Sequence, residues 1–128
     1  MKNLFIAILC VFAFSFTAEA QIEAGGDSIV NGGSSAVSFK AGGGETSMAV
    51  QIVVSKNSGT VAGSCVLQAS LDNSNWYIAS SDTLSLTDVA LQTQIWTIAP
   101  NPYPYLRCSC TGSGTMVAGY VVEYFRRN

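Results

Sequence analysis

The chain has 128 residues, 48% of them apolar and only 11% charged, with a net charge of −2 at pH 7 and no histidine. Basic residues do not cluster except at Arg126-Arg127, so nothing in the charge points to nucleic acid. The missing histidine excludes Ser-His and Cys-His nucleophile pairs.

The N-terminus reads as an export signal. Lys2 supplies a positive start, Leu4 to Phe16 is an apolar run too short to span a bilayer, and Ala18-Glu19-Ala20 has the small-x-small form of a signal peptidase site. Cleavage is expected before Gln21, leaving residues 21–128 as one domain of ordinary size. No later apolar run is long enough for a membrane-spanning helix. The expected location is therefore outside the cytoplasm: secreted, periplasmic or on the cell surface.

Residues 21–47 are rich in Gly and Ser, with "AGGD", "NGGSS" and "AGGGE". Such a stretch loses much entropy on ordering and has little to bury. Two apolar triplets, Ser28-Ile29-Val30 and Val37-Ser38-Phe39, read as short edge strands or as parts of a loose arm. Residues 48–128 read as the main domain. Met48, Val50, Ile52 and Val54 alternate with Ala49, Gln51, Val53 and Ser55, which is a strand with one buried face. Lys56-Asn57-Ser58-Gly59 is a turn signal. Cys65, Leu67, Ala69 and Leu71 then share one face of a second strand. Further extended runs lie at Trp76–Ala79, Thr83–Leu86, Gln92–Ala99, Tyr105–Thr111 and Met116–Phe125. Pro100, Pro102 and Pro104 break the series, because proline cannot continue a central ladder, and mark a loop between sheets. No segment has a convincing helical period. The pattern predicts an all-β fold, an antiparallel β-sandwich of about eight strands.

Between two alternating runs lies the polar knot Asp72-Asn73-Ser74-Asn75, expected to be a hairpin turn because Asp and Asn side chains bond the nearby backbone. Trp76 follows and is expected to plug the core with its indole N–H on a loop carbonyl. The alternative is an exposed stacking platform for sugar rings, formed with Tyr77. Asp72, Asn73, Asn75, Tyr77 and Arg107 are the candidate ligand-binding residues. Arg107 lies on the outward face of its strand, either over a tyrosine such as Tyr105 or Tyr120 or beside the Trp76 hairpin as a ligand-gripping group.

Three cysteines remain after cleavage: Cys65, Cys108 and Cys110. Export permits a disulfide, and an odd count leaves one thiol over. A bridge from Cys65 to Cys108 across the sandwich core is expected, with Cys110 as the other possible partner and three buried free thiols as the alternative. Cys-x-Cys, one distant Cys and no His supply too few zinc ligands. Asp72, Asp82 and Asp88 lie near turns but lack the spacing of a calcium loop. Neither a metal nor a cofactor is expected, and no phosphate loop or dinucleotide fingerprint occurs.

"VLQASLDNSNWYIAS", "TLSLT", "QIWTIAP", "YPYLRCSCTGSGT" and "GYVVEYF" together resemble a diffuse group of β-sandwich modules. These share a Ser-x-Asp-Gly-x-x-Trp hairpin and a later Tyr-x-Arg strand ending in Gly-Ser-Gly-Thr. They occur among bacteriophage structural and tail-associated proteins and bacterial surface proteins, and discoidin-type modules use a similar hairpin. Here Asn73 stands where Gly is usual, and the export signal departs from most phage structural proteins. The resemblance implies a non-catalytic exported module binding a surface protein or glycan, or else a self-assembling subunit of a surface structure or virion.

Overall fold

The computed structural model describes residues 21–128; the export-signal reading falls on residues 1–20 and lies outside them. Eight strands follow one another: β1 (Ile22–Val30), β2 (Ser34–Lys40), β3 (Ser47–Ser58), β4 (Ala62–Ser70), β5 (Tyr77–Leu86), β6 (Leu91–Ile98), β7 (Tyr105–Ser113) and β8 (Val117–Arg127). They form two four-stranded sheets, β1-β8-β3-β6 and β2-β7-β4-β5, and every pairing within them is antiparallel. The expected all-β sandwich is thus observed. First and last strands are neighbours and the chain changes sheet at every connection except the β4–β5 hairpin, which is the jelly-roll order.

Alternation explains why these segments became strands. In β3, Met48, Val50, Ile52 and Val54 are all buried and face the second sheet. Across the core, Cys65, Leu67 and Ala69 of β4 meet them, with Leu106, Cys108 and Cys110 of β7 beside these. Residues 21–47 supply one edge strand to each sheet, β1 against β8 and β2 against β7. Both strands are longer than the apolar triplets that mark them in the sequence. Hydroxyls close the gap between these two edges: Tyr120 and Ser35 are 2.7 Å apart, and Ser35 donates to Asp27 at 2.6 Å. At the opposite edge, Trp96 of β6 is 1% exposed and its Nε1–H donates to the carbonyl of Asp82 in β5 at 2.8 Å.

Three expectations need correction. The runs Trp76–Ala79 and Thr83–Leu86 are not two strands, because Tyr77–Leu86 is the single strand β5. The Ser80-Ser81-Asp82 break is instead an irregularity in its pairing, where the register on β4 jumps between Val66 and Gln68. It frees the Asp82 carbonyl to accept the Trp96 indole. The disulfide joins Cys65 to Cys110, not to Cys108. It also does not cross the core. β4 and β7 are neighbours in one sheet, Cys65 stands directly opposite Cys110, and their Cα atoms are 4.1 Å apart. Cys108 stands opposite Leu67 two rungs away, stays free, and is fully buried. Burial pushes its thiol up to about 12.

The proline run crosses from β6 in one sheet to β7 in the other. A buried polar pair fastens this loop. Asn101 Nδ2 donates to Glu45 Oε2 at 2.9 Å, and Asn101 N donates to the Glu45 carbonyl at 3.0 Å. Asn101 Oδ1 accepts the Tyr103 amide at 3.1 Å, so the side chain is satisfied on both sides.

Candidate functional site

The hairpin between β4 and β5 is built around one carboxylate. Asp72 Oδ1 accepts the amides of Ser74 and Asn75 at 2.9 and 2.8 Å and the Ser70 hydroxyl at 2.9 Å. Asn75 Nδ2 donates to the other oxygen at 2.6 Å. The Asn75 and Ser74 amides hold the Asp72 carboxyl far below the usual carboxylate range. Asn73 adopts φ 60°, the left-handed conformation that Asn tolerates and Gly would supply in the related hairpin. Asp72 and Asn75 therefore form a self-satisfied turn with Ser70 and Ser74, to which Asn73 contributes its left-handed backbone.

That turn delivers Trp76 to the outer side of the second sheet. Trp76 is half-buried rather than core, which corrects the expectation that it plugs the sandwich. Trp96 takes that role, together with the carbonyl bond expected of a buried indole. The reason is position: Trp76 precedes the first paired residue of β5, so no strand pleat turns its ring inward. The Arg107 guanidinium lies over its ring, 4.4 Å from the centroid. Arg107 therefore stacks on neither Tyr105 nor Tyr120, and Tyr120 is buried in the core. Arg107 Nε donates to Gln68 Oε1 at 2.7 Å, a bond between residues directly opposite on β7 and β4. Partial burial draws the guanidinium down from its ordinary value.

The register extends this cluster across four strands. Ser38, Arg107, Gln68 and Ile78 form one outward row, and Lys40 and Tyr105 begin the next, which ends on the fully buried Ser70. Ile78 is 59% exposed. Beyond them the face carries Ser, Thr, Ala and Val. The result is a platform with one stacked Arg–Trp pair, a glutamine clamp and several hydroxyls. Tyr77 is not part of it. Its rung partner is the inward-facing Ala69, and it meets Tyr103 edge-on at 5.4 Å at the end of the sandwich. Desolvation, with the neighbouring Tyr103 hydroxyl, pushes the Tyr77 phenol up to about 12. The structure thus joins Arg107 to the Trp76 hairpin and separates Tyr77 from both.

Gln68 and Ser38 were missed in the sequence, although Gln68 is the polar member of an alternating run and so had to face outward. A second feature was also missed. The outer face of the first sheet carries a shallow groove of 330 Å³ walled by Ala49, Gln51, Ile95, Glu123 and Phe125. Leu91 and Ile95, 60% and 56% exposed, continue it along β6. Among the described residues no group of His, Cys, Asp and Glu could hold a metal ion.

No protein-family model matches the chain, and no curated protein matches it. Solved structures do. A mitogen derived from Yersinia pseudotuberculosis matches with a TM-score of 0.52 at 8% identity, over 83% of each chain. A protein of the disulfide-linked pili that form Bacillus endospore appendages matches with a TM-score of 0.50 at 8% identity, over 85% of this chain and 87% of that one. A family 16 carbohydrate-binding module matches with a TM-score of 0.48 at 12% identity, over 76% of this chain and 71% of that one. At such identities the first two likenesses show a shared β-sandwich fold and nothing further.

Proposed function

We propose that the protein is an exported, non-catalytic β-sandwich module that binds a surface partner, with a glycan as the partner its geometry favours over a protein. The observation that carries this is the outward Trp76–Arg107–Gln68 cluster on a hydroxyl-rich sheet face. An aromatic ring and an arginine held in place before a ligand arrives cost little further ordering on binding. Serine, threonine and glutamine side chains then offer hydrogen-bond partners for sugar hydroxyls. The export signal and the disulfide agree with a location outside the cytoplasm. The solved carbohydrate-binding module lends no weight at its TM-score; the local chemistry of this chain supports the reading. Retention of the purified protein on a panel of immobilised polysaccharides tests it. Retention that Trp76→Ala abolishes without loss of folding supports the module, and no retention on any polysaccharide contradicts a glycan partner.

A second reading, a subunit of a surface assembly or phage particle, has its own observation: the exposed apolar strip of Leu91 and Ile95 on the first sheet. Size-exclusion chromatography with light scattering separates the two. A monomer at micromolar concentration favours binding, and large or symmetric oligomers favour assembly.

A further inference from the structure

We infer that the platform takes a carboxylate-bearing sugar polymer, a polyuronate, in which a sugar carboxylate meets Arg107; this rests on the binding-module reading above. Arg107 is half-buried, and its guanidinium is fixed between the Trp76 ring and the Gln68 side chain. A partly desolvated charge is ordinarily paired. Yet the ion pair formed among the described residues is Lys56–Asp88, and no carboxylate lies within ion-pair reach of Arg107. Nε is spent on Gln68, which leaves the terminal nitrogens to grip a carboxylate as a planar fork.

The charge of the two sheet faces points the same way. The outward rungs around Arg107 hold Ser38, Gln68, Ile78 and Tyr105, with Lys40 as a second cation and no acidic residue, while Ser70 on the same row as Lys40 is fully buried and bonded to Asp72. The nearby hairpin carboxylate, Asp72, already accepts three donors at one oxygen and one at the other. The acidic residues Glu23 and Glu123 lie opposite each other on the far sheet. The paired rungs of this face thus carry Arg107 and Lys40 and no carboxylate, while Asp72 in the β4–β5 turn and Asp82 in the β5 irregularity lie on its β5 side.

An acidic peptide is the competing occupant. Extended peptides gain most of their affinity from backbone bonds at a strand edge. Here Arg107 sits on β7, an interior strand whose backbone is already paired on both sides. A sheet face offers side chains alone, which suits the hydroxyls and carboxylates of a sugar chain.

The test uses the purified protein in affinity electrophoresis against polygalacturonate, a neutral galactan and polyglutamate at physiological salt. Wild type is expected to be retarded by polygalacturonate at a concentration at least about tenfold below that needed for galactan. Arg107→Gln is expected to weaken the polygalacturonate interaction by about tenfold or more, with the melting temperature held. Arg107→Lys, which keeps the charge but not the fork, is expected to fall between the two. If Arg107→Gln does not fold, Arg107→Lys decides alone, and wild-type affinity in it overturns the proposal. Equal retardation by galactan and polygalacturonate, unaffected at Arg107, overturns the uronate assignment and leaves glycan binding standing. Stronger retardation by polyglutamate makes an acidic peptide the occupant and also overturns it. No retardation by any polymer removes both this assignment and the glycan reading beneath it.

Discussion

The two tryptophans should respond oppositely to removal. Trp96 is 1% exposed and bonded through Nε1 to the Asp82 carbonyl. Cutting a fully buried Trp to Ala costs about 3–5 kcal/mol. The orphaned carbonyl adds about 1 kcal/mol unless water reaches it. A domain of this size is stable by about 5–15 kcal/mol in total, so Trp96→Ala removes a large fraction. Each kcal/mol moves the melting temperature by about 4–8 °C, which gives a fall of at least about 12 °C. Trp76 is half-buried, and its defined contact is the stacked Arg107. Losing that contact and part of the ring's packing costs about 1–2 kcal/mol. Urea denaturation of both variants, followed by circular dichroism, measures the two costs in one assay. A Trp76→Ala variant destabilised as much as Trp96→Ala would refute the assignment of one ring to the core and the other to the surface.

Other outcomes follow from the same geometry. Denatured, unreduced chain that starts at Gln21 should titrate with one free thiol; three would eliminate the Cys65–Cys110 bridge. Replacing both bridged cysteines should cost about 4 kcal/mol by the loop-entropy model for a separation of 45 residues, read from the urea midpoint. Asp72 is held below its unfolded value, so its contribution is complete above about pH 4 and is lost as pH falls through the folded value. Asp72→Asn should therefore lower stability at neutral pH and flatten its decline in acid, and an unchanged acid slope would contradict this. Gly59 has φ 71°, and an added Cβ would lie 1.8 Å from the Thr115 carbonyl oxygen. Gly59→Ala should thus cost at least about 1 kcal/mol, measured by thermal melting, although the position is exposed.

Much of the fold is written in the alternation of Met48 to Val54 and of Cys65 to Ala69, because a strand with one buried face must repeat every second residue. What the sequence hides are relations between strands. Cys108 and Cys110 point the same way, so period two cannot decide which of them opposes Cys65; the β4–β7 register decides it. Trp76 and Trp96 both open or occupy extended runs; the pairing start of β5 leaves the first outside, and the β3–β6 register, which sets Trp96 opposite buried Val50, turns the second in. The Glu45–Asn101 pair joins residues 56 apart in loops, where no periodicity announces a buried contact. At the site, the Asp72 turn was legible from its own residues because its bonds are local. The Arg107–Gln68 clamp was not, since it depends on the same β4–β7 register.

On the proposed reading, a ligand meets the outer face of the second sheet at Trp76. The chain has two tryptophans, and each contributes one indole N–H resonance. A proton–nitrogen correlation spectrum recorded during titration with oligogalacturonate reports on both at once. The Trp76 indole and the Arg107 and Gln68 side-chain signals are expected to shift while the Trp96 indole stays still. Shifts confined to Ile95, Gln51 and Phe125 on the opposite sheet would contradict it.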